Sequence, residues 1–202
     1  MKILIIGGTG TIGKKVSAHL AKKHQIISAG RNSGDVNVDI ADSKSIEAMY
    51  ESIGKVDAIV CIAGEAKWAA LDAMTEEDFH VGLRSKLMGQ VNLVRIGQQY
   101  LNSGGSFTLS TGILADDPVV GTTSPAMVNG GIHSFVKAAS LELGNSARIN
   151  VVSSGLVEDA VEKYEAYFPG HNAIPMDKVI NAYVKSVEGK GNGKIITIYD
   201  NR

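Results

Sequence analysis

The stretch Ile3–Val16, "ILIIGGTGTIGKKV", constrains this chain more than any other. An apolar run of strand character breaks into glycines, and an amphipathic helical pattern starts at Thr11 with no intervening loop. Two spacings overlap in the turn. Gly8, Gly10 and Gly13 fit G-x-G-x-x-G, and Gly7, Gly10 and Gly13 fit G-x-x-G-x-x-G. Such a turn needs backbone angles that side chains resist, and it brings main-chain N–H groups at a helix mouth close to whatever lies above them. Strand, glycine turn and helix in that order make the opening unit of a phosphate-cradling α/β sheet. Gly7, Gly8, Thr9, Gly10, Thr11, Ile12 and Gly13 are the residues placed to hold a pyrophosphate. A purely structural tight turn is the alternative, but it would not need the strand before and the helix after.

The rest of the chain repeats that alternation. Strands are expected at Lys2–Ile6, Gln25–Ala29, Val36–Val38, Asp57–Ile62, Ser106–Thr111, Arg148–Ser153 and Lys194–Ile198. Helical patterns fall at Thr11–Lys23, Ser43–Ile53 and Met176–Val187, with a long one at Glu76–Leu101 that ends at the breaker "NSGG". A further helix follows Pro125, with Ile132, Phe135, Val136, Ala139 and Leu143 on one face. Strand alternating with helix means a parallel sheet covered on both faces. The expected fold is thus α/β, a doubly wound Rossmann sheet of about seven strands, forming a single domain over residues 1–202.

With 202 residues and a net charge of −1 from mixed signs, the chain shows no electrostatic footprint for nucleic acid. Its one cysteine, Cys61, excludes an intrachain disulfide framework and suits a reducing compartment. The apolar start is too short for a signal peptide, and no run is long enough for a membrane span, so a cytoplasmic protein is expected. No His, Cys, Asp or Glu spacing suggests a metal site.

The end of the second expected strand bears on which dinucleotide would bind. "SAGRNSGD" presents Arg31, with Asn32 and Ser33 beside it, where an acidic residue would hold a ribose 2′-hydroxyl. A guanidinium can grip a 2′-phosphate through two parallel hydrogen bonds, which favours NADP(H) over NAD(H). Asp35 nearby leaves NAD(H) as the alternative.

With these residues in hand, the chain resembles the short-chain dehydrogenase/reductase superfamily over essentially its whole length. Asp39 in "NVDI", with Ile40 beside it, stands where the family keeps an aspartate at the adenine. "VCIAG" resembles the family's Asn-Asn-Ala-Gly segment, with Cys61 and Ile62 in place of both asparagines. Ala63 and Gly64 would bring backbone close to the cofactor. "SARINVVSSG" resembles the run that approaches the nicotinamide, through Ser153 and Gly155, with Ser154 in place of the family's proline.

The family's chemistry uses an Asn, a Ser, a Tyr and a Lys. Its Tyr exchanges a proton with the substrate oxygen as hydride moves. Its Lys, four residues on, lowers the Tyr pKa and holds the nicotinamide ribose. Counting back from "SLELGNSARINVV" puts Pro125 at the Tyr position and Asn129 at the Lys position, and no tyrosine here has lysine four residues later. The family's Asn falls on Lys86. Its Ser has counterparts in Ser110 or Thr111, which could hydrogen-bond a ligand or merely close a strand. Lys86 could enter the vacated pocket, although a solvent-facing lysine beside Arg84 is the more ordinary reading. His133 reads as structural, Asp116 and Asp117 as solvated loop aspartates, and Tyr164, Tyr167 and Phe168 as lid residues.

The resemblance therefore implies an NADP(H)-binding protein without the usual proton donor, a cofactor binder or sensor. The alternative is an atypical oxidoreductase acting on a small carbonyl or enone, since hydride transfer needs only the nicotinamide and an electrophile held close. The resemblance also implies a homodimer or homotetramer packed through Glu76–Leu101 and Ala126–Leu143. Gly82, Gly89, Gly130, Gly131, Ala138 and Ala139 would permit close helix contact there.

Overall fold

In the computed structural model, which describes residues 1–199, the apolar runs become seven parallel strands of one sheet. They are β1 (Lys2–Ile6), β2 (Gln25–Gly30), β3 (Val36–Asn37), β4 (Val56–Cys61), β5 (Leu101–Gly112), β6 (Arg148–Ser154) and β7 (Ile195–Ile198). Their spatial order is β3-β2-β1-β4-β5-β6-β7. The chain works outward from β1 to β3, then returns to lay β4 on the other side of β1, so Ile6 pairs with Ala29 and with Cys61. That reversal opens a crevice beyond the carboxyl ends of β1 and β4, the place where such sheets bind ligands.

The helices are α1 (Thr11–Leu20), α2 (Ser43–Ile53), α3 (Glu76–Gly82), α4 (Gly89–Gly97), α5 (Thr123–Leu143), α6 (Val161–Tyr164) and α7 (Met176–Glu188). Strand alternation decides which of them each side chain meets. Ile3, Ile5 and Val60 pack with Val16 of α1 and Val179 of α7. Leu4, Ile6 and Ile59 join a second cluster with Leu93 of α4 and Ile132 of α5. Both faces are apolar because both are covered. Local signals set the ends. The Asp42 carboxylate accepts the N–H of Lys44 at 2.9 Å to open α2, and Gly54 closes it at φ 66°. Thr75 and Asp78 form a reciprocal capping box on α3.

Several segments depart from the sequence reading. The helix expected over Glu76–Leu101 is interrupted: α3 passes into a π-helical turn at Leu83–Met88, α4 follows, and a 3-10 turn at Gln98–Tyr100 ends it. Leu101 begins β5 rather than ending the helix. "NSGG" lies inside β5, where the pairing slips from Val56–Leu101 to Ala58–Ser106 and Gly104 takes φ 76°. The breaker residues make a bulge in a strand instead of a loop. α1 stops at Leu20, short of Lys23, and Lys194 precedes β7, its N–H donating to the Asn150 side chain at 3.0 Å. Nor do the small helix residues all face outward. A side chain on Gly82 would meet Ala66 and Ser124, one on Gly89 would meet Ile40, and one on Gly131 would meet Leu87. They allow contact within the chain, while Gly130 faces open space and Ala138 is exposed.

Candidate functional site

The glycine turn is built by close approach. Gly7 leaves β1 at φ 79°, and a Cβ there would stand 2.7 Å from the carbonyl oxygen of Ile62. A Cβ on Gly13 would stand 2.0 Å from the carbonyl oxygen of Gly7, so α1 rests directly on the turn. Gly8 faces inward against Ser17 and Ser28, while Thr9, Gly10 and Thr11 are exposed. The Gly10 N–H donates to the Gly7 carbonyl at 3.1 Å. α1 then starts with no side-chain cap and no acidic residue in its first turn. Its unpaired N–H groups and the positive end of its dipole are left for an anion. The missing side chains and the missing cap together fit a pyrophosphate.

From the turn, a cleft of about 370 Å³ continues between the loops after β2 and β4. Arg31, Ser33, Asp39, Ile40, Ala63 and Gly64 line it, as do Glu65 and Ser85, which the sequence reading did not single out. Asn32 is exposed on the same loop. The Nη2 of Arg31 lies 3.2 Å from Oε1 of Glu65, and the hydroxyls of Thr9 and Ser33 are 2.7 Å apart. Asp35 is engaged on β2 instead: its carboxylate accepts the Ser28 N–H and hydroxyl, both at 2.8 Å, and these bonds hold its carboxyl below the usual range.

At the other end, Ile12, Gly112 and Gly155 line an open apolar pocket of about 200 Å³, together with Trp68, Tyr164 and Phe168. The Trp68 ring packs among lid aromatics, tilted to Tyr164 at a centroid distance of 5.6 Å and edge-on to Tyr167 at 5.7 Å. A chamber of about 750 Å³ also reaches Trp68, lined further by Val119, Tyr167 and His171.

The polar candidates for this end are turned into the fold. Ser110 is 5% exposed; its hydroxyl donates to the Cys61 carbonyl and lies 2.7 Å from the Tyr183 hydroxyl. Gln90 brackets its backbone, accepting the N–H at 2.9 Å and donating to the carbonyl at 3.0 Å. Thr111 Oγ1 is 2.8 Å from His133 Nε2, and burial pushes the His133 pKa down. The Ser153 hydroxyl lies 2.6 Å from that of Tyr199, which donates to Asp116 at 2.9 Å. Pro125 and Asn129 are both buried in the first turns of α5, where Asn129 Nδ2 is 3.5 Å from the Gly112 carbonyl.

Lys86 is not the solvent-facing lysine that the sequence favoured. It is half-buried on the π-helical turn, and its stem fills the space that Gly64 leaves. A Cβ on Gly64, which sits at φ 112°, would be 2.8 Å from Lys86 Cδ. Among the described residues no hydrogen bond or ion pair reaches the ammonium. Burial pushes its pKa down, and burial pushes the neighbouring Cys61 thiol up to about 11. A signal for this existed: Gly82, Lys86, Gln90 and Leu93 share one helical face, and the other three are buried. Glu65 carried no such signal, because its partner comes from another loop.

Among the described residues, no three His, Cys, Asp or Glu side chains gather as metal ligands, and no helix is long and apolar enough to cross a membrane. A glycine-built first βα turn, opening on a cleft at the switch point of a doubly wound sheet, defines a dinucleotide-type fold. The sequence model of a family described as enoyl-(acyl carrier protein) reductase matches residues 11–183, and the chain belongs to the short-chain dehydrogenase/reductase superfamily, which binds nicotinamide dinucleotides. The protein lin1944 from Listeria innocua is 47% identical and superposes with a TM-score of 0.97, covering 98% of this chain and 100% of that one. A small-chain dehydrogenase in complex with NADPH shares the fold at 24% identity and a TM-score of 0.85, covering 98% and 96%. The 3-oxoacyl-(acyl-carrier-protein) reductase of Thermotoga maritima is 25% identical over 180 residues, 77% of this chain and 73% of that one.

Proposed function

We propose that this chain binds NADP(H) in preference to NAD(H) and acts as a cofactor-binding or sensor protein, without the superfamily's Tyr/Lys proton donor. The observation that supports this best is the contrast between an open, uncapped glycine cradle and an α5 that presents Pro125 and Asn129. Pro125 has no proton to give, and Asn129 is neutral and lowers no neighbour's pKa. Arg31 is the one cation among the described cleft-lining residues and is placed to grip a 2′-phosphate. Gly7–Gly13 would hold the pyrophosphate and Asp39 and Ile40 the adenine; Ala63 and Gly64 would bring their backbone close to the cofactor, and Ser153 and Gly155 would approach the nicotinamide. When bound, the nicotinamide supplies hydride chemistry; these residues only hold and orient it.

Calorimetric titration with NADPH and NADH tests the reading. Wild type should favour NADPH, and Arg31→Ala should lose most of that preference, about tenfold if one charged, two-point contact is removed. Equal affinities in wild type would remove the preference from the proposal.

A second reading, an atypical oxidoreductase acting on a small carbonyl or enone, is favoured by the Lys86 ammonium, which has no partner among the described residues. Under either reading, we propose that the chain self-associates as a dimer or tetramer. Met88 on the Leu83–Met88 turn and Met127 and Leu141 on α5 are 44%, 44% and 82% exposed, apolar side chains available for a second copy to cover. Light scattering that gave a monomer at micromolar concentration would exclude this.

A further inference from the structure

We infer that Glu65 sets how strongly the cleft prefers a 2′-phosphate, by holding Arg31 in competition with it; this rests on the reading of the cleft as a dinucleotide site. Three charged residues line the cleft: Arg31, Asp39 and Glu65. Asp39 already accepts the N–H of Ala41 at 3.0 Å. Arg31 is the cation available to an incoming phosphate, and its Nη2 stands 3.2 Å from the Glu65 carboxylate, joining the loop after β2 to the loop after β4.

The local backbone holds Glu65 in that place. Gly64 turns the chain at φ 112°, and the Glu65 N–H donates to Ser85 Oγ on the π-helical turn at 3.2 Å. The backbone is thus tied down while the carboxylate reaches across the cleft. Both side chains remain more than half exposed, 60% for Arg31 and 56% for Glu65, so the pair can open.

A phosphate dianion arriving at Arg31 meets a guanidinium that already carries an anion. It must either displace the carboxylate or share the guanidinium fork with it at close range. Both lower the affinity for the phosphorylated dinucleotide. A ribose 2′-hydroxyl meets neither penalty, and it can donate a hydrogen bond to the same carboxylate. Glu65 is therefore a specificity residue that narrows the gap between NADP(H) and NAD(H), acting from the β4 loop rather than from the β2 loop that carries Arg31.

The test compares wild type with Glu65→Gln, which keeps the side-chain length and removes the charge, by calorimetric titration with NADPH and with NADH at low salt. NADPH should bind about fivefold tighter to the variant, the upper range for releasing an exposed ion pair. NADH should bind equally or more weakly, and added salt should shrink the difference. If both dinucleotides bind and the NADPH preference is unchanged or falls, the role of Glu65 is overturned while the cofactor reading stands. If neither binds wild type or variant, the cofactor reading falls and the Glu65 inference falls with it.

Discussion

The two ends of the crevice treat their polar groups in opposite ways. Around the glycine turn, backbone N–H groups lack caps, and the polar side chains of Thr9, Arg31, Ser33 and Glu65 in the cleft are exposed and loosely paired, as Arg31 is with Glu65. At the ends of β5 and β6 the hydroxyls are engaged, those of Ser110 and Ser153 buried and that of Thr111 half-buried: Ser110 with Cys61 and Tyr183, Thr111 with His133, Ser153 with Tyr199. A polar group held by the fold makes a poor ligand contact, because a ligand would first have to break a bond in a dry interior. One end is thus prepared for a partner and the other is prepared for stability. Lys86 fits neither pattern: its stem packs against Gly64, and among the described residues its half-buried ammonium has no counter-group.

The sharpest way to break this contrast is Ser110→Ala. If Ser110 belongs to the fold, removing its hydroxyl strands the Cys61 carbonyl and the Tyr183 hydroxyl, and urea unfolding should show a loss of about 2 kcal/mol. The NADPH affinity should stay where it was. A variant of unchanged stability and weakened ligand binding would reverse the assignment and return Ser110 to the site.

Much of this was legible in the chain. The apolar runs of β1 and β4, the glycine turn and the amphipathic faces of α5 and α7 follow from local pattern, because a parallel strand covered on both sides must be apolar throughout. What was not legible depended on distant partners. "NSGG" reads as a helix stop and a loop, but Asn102 donates to Asp57 at 2.7 Å and the stretch is drawn into β5 as a bulge. The hydroxyls of Ser110 and Thr111 carry no sequence mark of their partners on α7 and α5. Asp35 looked available to a ribose, yet its engagement with Ser28 depends on how the β2 loop folds back. Lys86 lay between these cases: its place in a buried helical stripe was visible, and the rarity of buried lysines outweighed it.

That lysine gives the smaller and more informative test. Lys86→Met keeps an unbranched stem to pack against Gly64 and removes the charge. An ammonium held half-buried without an acceptor costs stability, so the variant should be more stable than wild type by about 1 kcal/mol in urea unfolding. The sign opposes that expected for Ser110→Ala, as it should if one group serves the fold and the other is kept at the fold's expense. A loss of stability would mean that the ammonium is satisfied in the free protein, and Lys86 would then join the stability-serving residues. If the variant is more stable, a screen of small carbonyls and enones with NADPH separates the two functional readings. Turnover present in wild type and lost in Lys86→Met would put the oxidoreductase ahead. A stabilised variant alongside a wild type that reduces none of them favours a protein that holds its dinucleotide without passing on the hydride.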